Sequence, residues 1–382
     1  MRITAIETLH LAGGITVHAG PIQWLWVKIH TDDGLFGLGE TYPHPASEEA
    51  VIHSRLAPRL LGQDPRRIEA LWTSMFDAVS YSGWAGAEMR AISAIDTALW
   101  DLKAKSLGVP VYELLGGATR DRIRTYNTCY DHISFLDQPV RLAESLLDSG
   151  ISAMKIWPFD PIAKITGGNY ITPNQIEDGI RPLRLIKERF GHSIEVAMEF
   201  HGYWSLPCAI QIANACEPFQ PMWLEEMLGQ DNMAAYRELA SATRLPLTIS
   251  ERLMTTWQYR ELLSNGAARV VMPDVAWCGG LTQAKKIADI GAAHYLPAAP
   301  HNCGGPILHA ATMHLAAAVP NLYIAESVRR HYADEYIPIV GELPKPVDGF
   351  FALPQGPGLG IGLLPEVLAR PDLVRRLTPA AA

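Results

Sequence analysis

Eight short apolar runs of strand character recur at a nearly constant pitch through the chain. They are Ile123–Thr128, Ala153–Ile156, Ile194–Met198, Met222–Leu224, Leu247–Ser250, Val270–Met272, Tyr295–Ala299 and Leu322–Ala325. Their starts are separated by 30, 41, 28, 25, 23, 25 and 27 residues. A parallel strand, its covering helix and two loops need about that length. The one long interval contains Gly167-Gly168-Asn169-Tyr170, where an extra loop is expected. Eight such units predict an α/β chain folded as a (β/α)-barrel. A doubly wound open sheet is the competing architecture. It usually has fewer strands and needs a Gly-rich first turn, which is absent.

The flanks have another texture. Trp24–Ile29, the turn Asp32-Asp33-Gly34 and Leu35–Gly39 read as a β-hairpin. Ile92, Ile95, Leu99 and Leu102 then recur at helical spacing within Arg90–Leu107, closed by Gly108 and Pro110. Residues 1–120 are therefore expected to form an α+β unit, with a boundary at Gly116–Thr119, and residues 121–334 the barrel. Residues 335–382 are rich in Pro and Gly and are expected to pack back onto the N-terminal unit. Their Gly358-Leu359-Gly360-Ile361-Gly362 run reads as turn chemistry, because no strand precedes it and no helix pattern follows.

Charge narrows the function classes. The chain of 382 residues carries 32 Lys plus Arg against 40 Asp plus Glu, a net charge of −8. That balance argues against gripping nucleic acid or an anionic membrane by bulk charge. No window approaches the ~18 consecutive apolar residues of a membrane span. The start has no signal-peptide hydrophobic core, so a cytoplasmic protein is expected. The five cysteines, Cys129, Cys208, Cys216, Cys278 and Cys303, lack a Cys-x-x-Cys pair and read as buried free thiols.

Seven of the eight strands end in an ionisable group: Lys155, Glu199, Glu225, Glu251, Asp274, His301 and Glu326. Such ends converge on one rim of a barrel, where active sites of this fold lie. A single carboxylate there is usually a helix cap or a solvated edge; seven in succession are harder to dismiss. Glu199, Glu225 and Glu251 fall on neighbouring strands, and like charges that close repel unless a cation sits among them. An all-oxygen set points to a hard ion such as Mg²⁺. Asp274 and His301 end adjacent strands, so the carboxylate can fix the tautomer of the imidazole and leave its other nitrogen as a base. His201 shares a face with Glu199, two residues on. A metal holding a carboxylate beside a histidine base suggests removal of the proton α to that carboxylate, through an enediolate. Trp157, Tyr203 and Trp204 crowd the same rim, with Arg252 next to Glu251. Packing is the default role for aromatics; stacking on a bound substrate is the alternative, and all four residues are candidate substrate contacts.

With these residues in view, the chain resembles the enolase superfamily, in its mandelate racemase-like branch. The matching segments are Glu199-Phe200-His201-Gly202, Trp223-Leu224-Glu225-Glu226, Ser250-Glu251-Arg252, Pro273-Asp274-Val275 with Gly279-Gly280, Pro300-His301-Asn302 and Glu326. Gly37–Glu40, the Ala94–Asp101 helix and Pro357–Gly360 fit as well. The resemblance covers nearly the whole chain. It implies a modified (β/α)8 barrel, written (β/α)7β, with an α+β capping domain, Mg²⁺ as cofactor and a homo-oligomer. By position Glu199, Glu225 and Glu251 match the metal ligands, Asp274 and His301 the basic dyad, and Glu326 an acid that binds the substrate carboxylate or enediolate. His201 matches the histidine that protonates the leaving β-hydroxyl in the sugar-acid dehydratases of this branch. Lys155 matches a contact to the substrate carboxylate or 2-hydroxyl.

Three positions depart from the pattern. Glu199 stands where Asp is usual, Met227 where Pro is common, and Lys155-Ile156-Trp157 where a Lys-x-Lys pair often supplies a second base. The missing second Lys disfavours a His–Lys racemase. The resemblance then implies a dehydratase converting an aldonate or aldarate to a 2-keto-3-deoxy acid. An epimerase, racemase or lactone cycloisomerase is the alternative, and an inactive sugar-acid-binding barrel another. His18-Ala19-Gly20-Pro21 and Tyr81-Ser82-Gly83-Trp84 are candidates for capping loops that select the substrate.

Overall fold

The computed structural model describes residues 1–17 and 20–380. His18 and Ala19, half of one candidate capping loop, lie outside them. Among the described residues no helix is long and apolar enough to cross a membrane.

The predicted hairpin forms. Strand Leu25–Thr31 pairs antiparallel with Phe36–Thr41, and Ile3–Leu11 adds on the other side. One face of this sheet lies on helix Ala87–Leu107, which ends at left-handed Gly108 as its sequence predicts. The approach is close because strand Phe36–Thr41 carries glycine. A Cβ on Gly39 would stand 1.9 Å from the Ala94 carbonyl oxygen. The tail returns here: Leu373–Pro379 pairs with Ile3–Leu11 as the sheet's outer strand.

The second sheet is parallel and curled. Its strands run in the order Val270–Val271, Leu247–Ile249, Leu224–Glu225, Glu195–Glu199, Ala153–Ile156, Arg122–Thr128 and Ala325–Ser327. The predicted strand Tyr295–Ala299 is reduced to single bridges: Ala298 pairs with both Val271 and Leu322, which closes the ring into a barrel. The last strand lies at Ala325–Ser327, later than the predicted Leu322–Ala325. The long interval holds an extra helix, Asp160–Thr166, before the turn at Gly167-Gly168. Gly168 has φ +69°, and a Cβ there would meet the Tyr203 carbonyl oxygen at 1.8 Å.

One layer of the barrel interior explains where the site falls. Tyr126, Ala153, Ala197, Trp223, Met272, Ala299 and Ile324 pack together inside the ring. Side chains of a strand return to the same face every second residue. One pleat further on stand Thr128, Lys155, Glu199, Glu225, Asp274, His301 and Glu326. An apolar floor thus hands over to an ionisable layer at the C-terminal rim.

The cap is fastened to the barrel by buried carboxylates. Asp96 accepts from Thr282 N (2.9 Å) and Thr282 Oγ1 (2.6 Å) in the first turn of helix Gly280–Ala293. Glu40 accepts from Trp26 Nε1 (3.0 Å) and from the N–H groups of Ile307 and Leu308 (both 3.3 Å) at the start of helix Pro306–Ala318. Asp101 accepts from Leu38 N (2.7 Å) and Leu359 N (2.8 Å), tying hairpin, helix and tail together. Carboxylates at helix N-termini satisfy free N–H groups and the helix dipole at once.

Three histidines are buried uncharged. His314 Nδ1 accepts from Tyr112 N (3.2 Å), and His309 Nδ1 lies 3.0 Å from Asn302 Nδ2. Burial holds His309 and His314 down at about 4, and His331 at about 3. Each is therefore neutral when folded and takes up a proton on unfolding below the ordinary value of about 6.5. That stabilisation is complete above pH 6.5 and is lost as pH falls toward 4. Between pH 7.5 and 5 each should contribute a loss of about 2 kcal/mol. Because the buried carboxylates titrate with the opposite sign, the test is a comparison: in urea titrations wild type should lose about 2 kcal/mol more than a His314→Gln variant between the two pH values, and equal changes would refute neutral burial.

Candidate active site

Strand register assembles the carboxylates. Glu199 pairs directly with Glu225, and Glu225 with Thr248, three residues before Glu251. Oxygens of Glu199, Glu225 and Glu251 all lie within 4.8 Å of one another, and all three residues are buried. Lys155 sits among them. Its Nζ is 2.6 Å from Glu225 Oε1, 2.9 Å from Glu326 Oε1 and 3.7 Å from Glu199 Oε2. Glu199 Oε1 accepts from the N–H groups of Phe200 (2.9 Å) and His201 (2.6 Å), and Glu225 Oε2 from Trp223 Nε1 (2.7 Å). Glu251 Oε2 is buried with no hydrogen-bond partner.

One lysine does not balance this cluster. Burial pushes Glu199 up to about 7, with Lys155 opposing and Glu251 adding to the rise. Burial and the charge of Glu199 raise Glu225 well above the carboxylate range. Burial also acts on Glu251, but the charges of His301, Lys155 and Arg252 outweigh it and hold that group low. Crowded carboxylates, one with an orphaned oxygen, fit a bound hard cation. Glu199, Glu225 and Glu251 are the residues that could hold it.

His301 and Asp274 meet as an isolated parallel bridge at the rim. His301 Nδ1 is 2.7 Å from Asp274 Oδ2. Asp274 is itself held by Tyr42 Oη (2.9 Å) and Ala276 N (2.7 Å). His301 Nε2 lies 3.6 Å from Glu326 Oε2. Burial opposes a charge on His301, yet Glu326, Cys303 and Asp274 together hold it well above the imidazole range. Burial likewise opposes ionisation of Glu326, and Lys155, His301 and Thr128 reverse it to about 2.

These groups open onto one cavity of about 220 Å³. Lys155, Glu199, Glu251, His201, His301 and Trp157 line it, all of them candidates from sequence. Glu225, Glu326 and Asp274 lie behind that surface, within the contacts given above. The other three candidates are elsewhere. Arg252 forms a bidentate pair with Glu226, Trp204 is buried against Phe159, and Tyr203 is half exposed beside His201. Of the candidate capping loops, Tyr81 is fully exposed and Trp84 packs on Phe76 and Trp257, and neither lines the cavity.

Sequence reasoning missed Tyr42, Pro43, Thr128, Tyr130, Trp277 and Cys303, which complete the lining. Thr128 had a signal, since it continues the inward face of its strand. Tyr42 and Pro43 had none, because they reach the rim from the cap across more than 200 residues.

Known proteins resemble this chain in sequence and in fold. Residues 8–116 match the profile of the mandelate racemase / muconate lactonizing enzyme N-terminal domain, and residues 138–367 that of the enolase C-terminal domain-like family. A D-galactonate dehydratase of Ralstonia nicotianae is 33% identical over 374 residues, 95% of this chain and 92% of its own length. One from Xanthomonas campestris is 35% identical over 363 residues, 93% and 92% of the two chains. The crystal structure of an enolase of the mandelate racemase subgroup from Agrobacterium tumefaciens superposes with TM-score 0.91 at 40% identity, covering 100% of this chain and 99% of that one.

Proposed function

The chain belongs to the mandelate racemase and muconate lactonizing enzyme family of the enolase superfamily, and from that premise we propose that it is a Mg²⁺-dependent dehydratase of an aldonic acid. The observation that carries the reading is that His301 and His201 line one cavity together with the carboxylate cluster. They come from the seventh and third strand positions, which lie across the mouth of an eight-unit barrel.

Glu199, Glu225 and Glu251 would hold the Mg²⁺, which when bound supplies positive charge to the substrate carboxylate as negative charge develops there. The chain's own residues do the rest. Asp274 keeps the His301 Nδ1 proton, so Nε2 is the nitrogen that takes the α-proton. A base must be neutral when substrate arrives. The two charges of a divalent ion in this cluster act against the anionic surroundings that keep His301 protonated without it. Lys155 contacts the substrate carboxylate or 2-hydroxyl. His201 gives a proton to the leaving β-hydroxyl, and the product enol becomes a 2-keto-3-deoxy acid.

The lining favours a monocarboxylate. Among the described residues no arginine lines the cavity, and Lys155 already faces three carboxylates. Trp157, Tyr130 and Trp277 offer flat, neutral surfaces suited to a polyol chain. D-Galactonate, the acid named for the relatives above, is the first to test. Residues 1–120 serve in this reading as cap, 121–334 as catalytic barrel and 335–382 as a segment returning to the cap. The return of Leu373–Pro379 to the N-terminal sheet supports that division.

The test is a library of aldonic and aldaric acids with Mg²⁺, read by semicarbazone formation from 2-keto products. Aldonates should turn over, aldarates should not, and chelation with EDTA should remove activity until Mg²⁺ is restored. Proton NMR of the product in deuterium oxide separates dehydration from epimerisation, since only the former loses a hydroxyl. No product from any acid, with folded and metal-loaded protein, would refute the assignment.

A further inference from the structure

Across the mouth from His301 and Asp274 the cavity meets a second histidine beside a second aspartate. His201 follows strand Glu195–Glu199 with a left-handed backbone, φ +49°, which a non-glycine residue adopts only when its surroundings hold it there. Its Nδ1 lies 2.7 Å from Asp160 Oδ2. The carboxylate is set off the line of the ring N–H, as hydrogen bonds at such sites often are before substrate binds. Trp157 and Tyr203 flank the ring, with centroids at 6.1 and 6.0 Å.

Asp160 opens the extra helix Asp160–Thr166, the insertion that lengthens the second strand-to-strand interval. It is 6% exposed. Its Oδ1 has no hydrogen-bond partner, and among the described residues no lysine or arginine pairs with it. A buried carboxylate so poorly satisfied is costly. The ionisable group it faces is the histidine at the cavity wall.

We propose that Asp160 is a positioning residue for His201: it holds Nδ1, fixes the tautomer and aims Nε2 at the β-hydroxyl of the substrate. This rests on the dehydratase reading above. In the step concerned, the Nε2 proton passes to the hydroxyl oxygen. The C–O bond breaks with its electron pair going to that oxygen, which leaves as water, while the electrons of the enediolate form the new carbon–carbon double bond. His201 is left neutral with its remaining proton on Nδ1, facing Asp160. The α-proton now on His301 goes to solvent and His201 regains one from solvent, so the cycle closes.

The test compares wild type with Asp160→Asn and Asp160→Ala in the full-length, Mg²⁺-loaded protein. With D-galactonate, kcat for dehydration should fall about 100-fold in both variants. Deuterium wash-in at the α-carbon should persist within threefold of wild type. Fluoride release from the 3-deoxy-3-fluoro analogue should also stay within threefold, because fluoride leaves without a proton from His201. A structural collapse would lower all three rates together, and that result, or an unchanged kcat, would overturn the proposal. The crystal structure of Asp160→Ala decides the positioning without any turnover: the His201 ring should lose its single orientation, and a ring fixed as in wild type would overturn the role. That arm remains decisive if wild type dehydrates nothing, an outcome that falls on the proposed function alone.

Discussion

In deuterium oxide the His301→Asn variant is expected to leave the α-hydrogen of a bound aldonate unexchanged and to dehydrate it about 10³-fold more slowly than wild type. The geometry makes this substitution informative. His301 Nδ1 meets Asp274 at 2.7 Å, and Asp274 is anchored by Tyr42 from the cap and by Ala276 N. An asparagine amide can still donate to Asp274, so the rim has no reason to rearrange, yet it offers no basic nitrogen where Nε2 stood. Melting temperatures of variant and wild type should agree within a few degrees, which separates lost chemistry from lost fold. His201→Asn should behave differently, losing dehydration while the α-hydrogen still exchanges. Exchange at the wild-type rate in the His301 variant would remove His301 as the base, and loss of exchange in both variants would remove the division of labour between them.

The placing of the rim residues was partly legible in the sequence because strand side chains repeat every second residue. Ala197 and Glu199, Trp223 and Glu225, Met272 and Asp274, and Ala299 and His301 are pairs of one kind: an interior residue, then a rim residue on the same face. A reader who places the apolar runs correctly also places the rim, even where the hydrogen-bonded strand is two residues long, as at Val270–Val271. Contacts that no local pattern encodes were out of reach. Tyr42 finds Asp274 only after the cap docks, and Asp160 finds His201 only because an inserted helix folds over the rim. Leu373–Pro379 was expected to be part of a loop-rich tail and is instead an outer strand. Its residues are mostly exposed, so it carries little apolar alternation, and its order comes from backbone pairing with Ile3–Leu11.

The carboxylate cluster also predicts a large stability effect from one buried cation. In the absence of divalent metal, Lys155→Met should lower unfolding free energy by about 3–5 kcal/mol, the range for breaking a buried ion pair by removing one partner. Methionine is close to lysine in length and shape, so packing against Tyr126, whose ring lies 5.8 Å from Nζ, should change little. What changes is charge: Glu225, Glu326 and Glu199 lose the ammonium within 2.6, 2.9 and 3.7 Å of their oxygens. Protonation of Glu199 and Glu225, which burial already favours, relieves part of the loss, so the effect should be smaller at pH 6 than at pH 8. Mg²⁺ held as proposed by Glu199, Glu225 and Glu251 would favour the folded chain over the unfolded one and should stabilise the variant more than wild type, since it would then be the cluster's principal counter-charge. The exposed pair of Lys286 with Glu69, 2.7 Å apart, provides the contrast: Lys286→Met should cost under about 1 kcal/mol. Chemical denaturation with EDTA or Mg²⁺ at both pH values measures all of this. A Lys155→Met protein as stable as wild type in EDTA would mean that the acidic cluster does not depend on this lysine, and the account of how these acids share one barrel mouth would have to be abandoned.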